Sequence, residues 1–218
     1  MTRAVFFDAA GTLFHLPRGV GWHYRDVAQR HGAVFDEAEL NRAFRQAWKD
    51  AAAPHETDGA RADDDRGWWR ALVERVLDEC GNVQGLDRDA YFSELWNEFS
   101  RPSVWELFPE TLEVLAALKG RVRLCVVSNF DSRLRTILSH LGIAEFFDDT
   151  VISSEIGADK PSPRIFSAAL ARAGVSAQDA LHVGDEPEAD WHGAERAGLR
   201  AFRLQRPENS LLGVLDLL

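Results

Sequence analysis

Asp8, Ser128, Lys160 and Asp185 are residues of complementary chemistry, each set in a short motif. The motifs are Asp8-Ala9-Ala10-Gly11-Thr12-Leu13, then Ser128-Asn129, then Lys160-Pro161, then Gly184-Asp185-Glu186 with Asp190 following. A carboxylate such as Asp8 can attack an electrophile and hold it covalently. The Ser128 hydroxyl and the Asn129 amide can hold oxyanions, and Lys160 can neutralise developing negative charge. Asp185, Glu186 and Asp190 can bind a hard cation through oxygen. Each piece alone has an ordinary reading. Asp8 or Ser128-Asn129 can be a strand-ending turn, and Glu186 and Asp190 can be solvated charges at a helix start near Pro187. Thr12, beside Gly11, reads as a loop hydrogen bonder rather than a reactant.

These motifs fall where predicted strands end. Ala4-Val5-Phe6-Phe7 is a short apolar run that stops at Asp8. Residues 121–127 form a second such run before Ser128, residues 150–153 a third, residues 180–183 a fourth before Gly184-Asp185, and residues 200–204 a fifth. Helical spacing of apolar residues fills the intervals 109–119, 131–141, 162–173 and 189–197, and Gly142, Gly174 and Gly198 follow three of them as stops. Strands alternating with helices predict a doubly wound α/β core with a parallel sheet covered on both faces. Ligands of such sheets sit beyond the carboxyl ends of the strands. Residues 16–100 differ: they hold four helical patterns, near 22–30, 37–52, 66–80 and 90–99, and no strand. Asp63-Asp64-Asp65 reads as a charge cluster at a helix N-terminus, favourable to the helix dipole. The expected division is a core of residues 1–15 and 101–218 with an all-helical insert over 16–100.

With these motifs in this order and the helical insert after the first, the chain resembles the haloacid dehalogenase-like hydrolase superfamily over nearly its whole length. The resemblance implies that Asp8 is the nucleophile and a magnesium ligand, joined at the metal by the backbone carbonyl of Ala10. It implies that Ser128 hydrogen-bonds the transferring group, that Asn129 orients the site, and that Lys160 neutralises the phosphoryl charge and positions Asp8. Asp185 is implied as a magnesium ligand, with Glu186 or Asp190 in the inner or outer shell. The insert is implied to be a cap over the substrate. The expected function is hydrolysis of a small phosphorylated metabolite through an aspartyl-phosphate, with Mg2+ as cofactor.

The chain departs from the family's phosphatases at Ala10, where they carry a second aspartate that protonates the leaving group and later activates water. A positioned acid/base of that kind is worth about 10²- to 10⁴-fold in rate. Ala10 leaves three alternatives. One is a phosphatase confined to good leaving groups or served by an acid from the cap, with His15 and His23 as candidates. Another is a carbon–halogen or phosphonate hydrolase of the same superfamily, the former looking to Arg42 or Arg45 and the latter to Lys49, one of only three lysines. The last is a catalytically weak member that binds a ligand or partner. The metal-binding form of the fourth motif counts against dehalogenation.

Composition narrows the partners. The chain of 218 residues has a net charge of −10 and 45% hydrophobic residues, which predicts a folded protein without the basic face that nucleic acid or an anionic membrane demands. Cys80 and Cys125 have no metal or redox spacing, and no stretch has the length of a membrane span. The N-terminus has no signal-peptide core, so a reduced, cytoplasmic setting is expected. The seven histidines show no ligand spacing. The many tryptophans, Trp48, Trp68, Trp69 and Trp96 among them, read as cap core or seam, and the expected state is a monomer or homodimer.

Overall fold

The computed structural model describes residues 1–81 and 85–217. In chain order the regular elements begin with β1 (Ala4–Phe7), β2 (Phe14–His15) and the helices α1 (Gly19–Arg30), α2 (Glu37–Asp50), α3 (Arg66–Glu79) and α4 (Arg88–Glu98). Then come β3 (Glu106–Leu107), α5 (Thr111–Leu118), β4 (Arg123–Ser128), α6 (Arg133–His140), β5 (Asp149–Ile152) and α7 (Ser153–Ile156). The last are α8 (Pro163–Ala173), β6 (Ala180–Gly184), a π-helical turn over Pro187–His192, α9 (Gly193–Arg196) and β7 (Arg200–Arg203). The chain divides into two compact units: Met1–His15, His55–Asp64 and Trp105–Leu218 in the first, Leu16–Pro54 and Asp65–Val104 in the second.

The first unit is built on a five-stranded sheet in the order β5-β4-β1-β6-β7, parallel throughout. All four residues of β1 are buried, as a central strand covered on both faces requires. Alternation sorts them: Val5 and Phe7 face a core shared with Val114, Leu115, Leu134 and Ile137 of α5 and α6. Ala4 and Phe6 face the other side, against Ile165, Phe166 and Ala169 of α8. Burying each phenylalanine contributes roughly 1.5–3 kcal/mol. Helix α8 starts where Ser162 caps it, accepting from the Arg164 amide, with Pro163 in the first turn, and it ends at Gly174 with φ +66°. A two-stranded antiparallel ribbon pairs β2 with β3. It is too short to show a period in the sequence. The interval 189–197 is not one α-helix, because a π-helical turn precedes the single α-turn of α9.

The second unit is helical and has its own core, formed among others by Tyr24, Val27, Leu40, Leu72, Val76, Tyr91 and Leu95. Asp36 caps α2 and Asp87 caps α4 through their side chains. Trp48, Trp68 and Trp69 pack on one another with ring centroids 5.0–5.9 Å apart, at the margin of this core rather than inside it. The insert is not one continuous piece of the helical unit, since residues 55–64 fold with the sheet. Asp64, one residue before the N-cap of α3, also bonds within the sheet unit. Its carboxylate accepts from the Ser132 amide at 3.0 Å and from the Ser154 hydroxyl at 2.6 Å. Among the described residues no helix is long and apolar enough to cross a membrane.

Candidate active site

The site lies at the carboxyl ends of the three central strands, β4, β1 and β6. The Asp8 amide donates to Val183 O at 2.9 Å, so sheet bonding holds the first residue past β1. One carboxylate oxygen, Asp8 Oδ1, accepts from Lys160 Nζ at 2.7 Å and from Ser128 Oγ at 3.0 Å. Ser128 is the last residue of β4 and is buried. Asn129 brackets the backbone of Lys160: its Nδ2 donates to Lys160 O at 2.8 Å and its Oδ1 accepts from Lys160 N at 2.6 Å. Asn129 therefore fixes the lysine rather than reaching outward.

Lys160 Nζ also donates to Asp190 Oδ1 at 2.6 Å. That oxygen accepts from His182 Nε2 at 2.9 Å, and Asp190 Oδ2 accepts from the Glu186 amide at 3.0 Å. Asp190 is thus tied into a chain His182–Asp190–Lys160–Asp8. An ionised Asp190 can only accept, so Nε2 carries the imidazole proton. His182 Nδ1 is buried without a partner among the described residues. Spacing of histidines with one another does not reveal His182. The signal that does is a polar residue in a fully buried strand, which needs a partner. Gly184 permits the close approach, because a β-carbon there would overlap the Asp190 carboxyl group.

Asp185 follows β6 and its Oδ1 accepts from Thr12 Oγ1 at 2.9 Å. Gly11 has φ +93°, and a β-carbon on it would come within 2.5 Å of Asp185 Oδ2. Glycine is required there both for the backbone and for the space. Ala10 lies half-buried in the same turn, where Gly11 N donates to Phe14 O at 2.8 Å. Ligand oxygens of Asp8, Asp185 and Asp190 lie within 4.8 Å of one another, and Glu186 stands outside that triplet.

The electrostatics follow from one lysine among four carboxylates. Burial opposes the charged form of Lys160, but the charges of Asp190 and Asp8 outweigh it and hold the ammonium protonated far above neutral pH. Burial likewise opposes ionisation of Asp190, yet Lys160 and His182 hold it well below the usual carboxylate range. Asp8 is pushed up by burial and by the charge of Asp190, because the lysine it attracts is shared. Burial and then the charge of Asp8 push Asp185 up to about 7. Burial and the charges of Asp190 and Asp8 also raise Glu186. The donor set is therefore one of hard oxygens with more negative charge than Lys160 balances, which fits a divalent cation of the magnesium type.

The other candidates are described within their own units. His23 Nδ1 bonds Glu98 Oε1 at 3.3 Å inside the helical unit. Arg42 and Lys49 belong to that unit as well, on α2. His15 packs against Phe108 with ring centroids 4.6 Å apart in the sheet unit.

Three kinds of similarity bear on the chain. The sequence profile described as haloacid dehalogenase-like hydrolase matches residues 2–198. The mouse haloacid dehalogenase-like hydrolase domain-containing protein 3 is 35% identical over 202 residues, covering 92% of this chain and 80% of its own. A glyceraldehyde 3-phosphate phosphatase of Methanopyrus kandleri is 48% identical over 69 residues, 32% of this chain and 30% of its own. Among solved structures, the Bacillus subtilis HAD-hydrolase YfnB, crystallised bound to magnesium, superposes with TM-score 0.73 at 19% identity, covering 99% of this chain and 98% of that one. Its fold is the same parallel sheet with an added helical region. With a sheet of this order, a profile match over most of its length and a relative of this identity, the chain belongs to the haloacid dehalogenase-like hydrolase family.

Proposed function

We propose that the protein is a magnesium-dependent phosphatase that hydrolyses a small phosphorylated metabolite through an aspartyl-phosphate on Asp8. The observation that carries this reading is the double hold on Asp8 Oδ1 by Lys160 Nζ at 2.7 Å and Ser128 Oγ at 3.0 Å. It fixes one oxygen of the carboxylate and orients the other for attack. In the first step that oxygen bonds to phosphorus and the bond from phosphorus to the leaving oxygen breaks. In the second, water bonds to phosphorus, the bond to Asp8 breaks, and inorganic phosphate leaves. Lys160 offsets charge on the transferring group in both steps, and Ser128 donates to it. Asp8, Asp185 and Asp190, with the Ala10 carbonyl, would hold the magnesium, which when bound supplies Lewis-acid neutralisation of phosphoryl oxygens. Asn129 keeps Lys160 in place, Thr12 orients Asp185, and Glu186 adds negative potential beside them. Substrate selection we assign to the helical unit, by analogy of fold.

Ala10 has no proton to give, so the leaving group must depart as a weak base or take its proton from elsewhere. This favours acyl and aryl phosphates over alkyl phosphates. It also keeps open a halide leaving group, which needs no proton. The kinship with a glyceraldehyde 3-phosphate phosphatase and the carboxylate triplet weigh toward phosphate. The test is turnover of acetyl phosphate, p-nitrophenyl phosphate, sugar phosphates and 2-haloacids, each with and without magnesium, beside Asp8→Asn. Magnesium-dependent phosphate release lost in Asp8→Asn is the expected result. Halide release independent of magnesium would overturn the phosphatase reading, and inactivity on every compound would favour a binding role.

A further inference from the structure

We propose that residues 55–64 form a positioning strap whose Arg61 and Asp64 hold the Ser128 and Lys160 loops in the geometry that the reaction requires. The proposal rests on the phosphatase reading for its catalytic consequence. Three anchors carry it. The Thr57 amide donates to Gly157 O at 2.9 Å, and the Arg61 amide donates to Ser154 O at 2.7 Å. The Arg61 guanidinium donates to the carboxylate of Asp159, the residue before Lys160, in an ion pair whose side chains are 7% and 11% exposed. The Asp64 carboxylate takes the Ser132 amide and hydroxyl on one loop and the Ser154 hydroxyl on the other. These two loops are already knit to each other, through Asn129 on the Lys160 backbone and through Ser154 N donating to Phe130 O at 3.2 Å. The strap closes that connection from outside.

Two features mark the docking as specific. Gly157 has φ +73°, and a β-carbon there would overlap Gly59 O and Thr57 Oγ1, so the strap runs directly over a residue that must lack a side chain. Asp64 itself has φ +53°, a left-handed conformation that aspartate tolerates better than most residues. The strap is mostly exposed, and apolar burial does not hold it. Its attachment is polar: Arg61 and Asp64 make the inner contacts, and Arg164 donates from outside to the Glu56 carboxylate at 3.2 Å and to Thr57 O at 2.7 Å. Without Arg61 the Asp159 carboxylate is left nearly buried and unpaired. Such a group moves toward water, and Lys160 is its neighbour in the chain.

The experiment is steady-state turnover of p-nitrophenyl phosphate with magnesium, joined to hydrogen exchange read by mass spectrometry. The variants are Arg61→Met, Arg61→Lys, Asp64→Asn and Gly157→Ala. The expected result is a fall in kcat of about ten- to a hundredfold in Arg61→Met and Asp64→Asn, with KM within about twofold, since misplacement of reacting groups acts on the chemical step. Arg61→Lys should recover part of that loss. Exchange should quicken at residues 129–133 and 154–160 in these variants and in Gly157→Ala, and stay unchanged in α5. Wild-type kcat in Arg61→Met and Asp64→Asn overturns the proposal, as does unchanged exchange in both loops. Exchange quickened across α5 as well means general unfolding and also overturns it. Wild-type inactivity on the whole panel of phosphates sinks the phosphatase reading alone, and the strap then stands or falls on exchange in the two loops.

Discussion

Lys160 faces Asp8 and Asp190 at once, at 2.7 and 2.6 Å. Asp190 spends its oxygens on Lys160, His182 and the Glu186 amide, so it positions the lysine whatever it adds to a cation site. That division of labour leaves acid/base catalysis as the missing function, and Ala10 as its place. Ala10→Asp should raise turnover of alkyl phosphates by about 10²-fold or more, while aryl phosphates, which leave unprotonated, gain far less. Parallel progress curves on a sugar phosphate and p-nitrophenyl phosphate read the difference. Equal gains on both would show that the leaving-group proton is not what limits the enzyme.

At the scale of elements, the site is held by backbone geometry that tolerates little change. The turn after β1 brings Gly11 against Asp185, and the π-helical turn after β6 brings Asp190 back against Gly184. π-turns of this kind recur at functional sites because they re-aim a side chain. Gly11→Ala adds a β-carbon where Asp185 stands and forces a non-glycine residue to φ +93°. It should cost roughly 1–3 kcal/mol of stability and remove magnesium-dependent turnover. Urea denaturation and a magnesium titration of activity measure the two effects separately. Retained magnesium response would mean that Asp185 is not held by this turn.

At the scale of the molecule, two cores fold from one chain, and the helical one carries a pH-sensitive group. His23 is buried beside Glu98, and burial, its leading effect, lowers its pKa below the ordinary value of 6.5, against the pull of Glu98 and Asp26. The folded state therefore prefers neutral His23. Between its folded value and about 6.5 the unfolded chain binds a proton that the folded chain does not, so stability falls as pH drops through that window. The urea midpoint of wild type should fall from about pH 7.5 to about pH 5.5 more steeply than that of His23→Gln. Superimposable profiles would mean that His23 does not contribute. The difference between the two profiles reads the loss of His23 together with its bond to Glu98.

Much of this arrangement was written in local pattern. Short apolar runs that end in Asp8, Ser128 and Gly184-Asp185 specify a parallel sheet and put their polar ends at one edge, because a buried strand can place ionisable groups only where it leaves the core. Helical spacing likewise marks α1 to α4 as a region apart from the sheet. What pattern cannot specify is which polar side chains meet. Asp190 reads only as a cation ligand or a solvated charge, and the structure adds Lys160 and His182 as its partners. His182 reads as packing until its Nε2 finds Asp190. Asp64 reads as a helix-start charge, and residues 55–64 as part of the insert, until Ser132, Ser154 and Gly157 bind them to the sheet unit. Hydrogen bonds between residues 30 positions apart, as in Lys160–Asp190, or 90 apart, as in Asp64–Ser154, leave no period in a sequence, and neither does the pairing of His182 with Asp190 eight residues on. Hydrophobic order therefore determined the sheet and the edge where chemistry could occur, while the partners of each polar group were decided only when folding brought distant loops together.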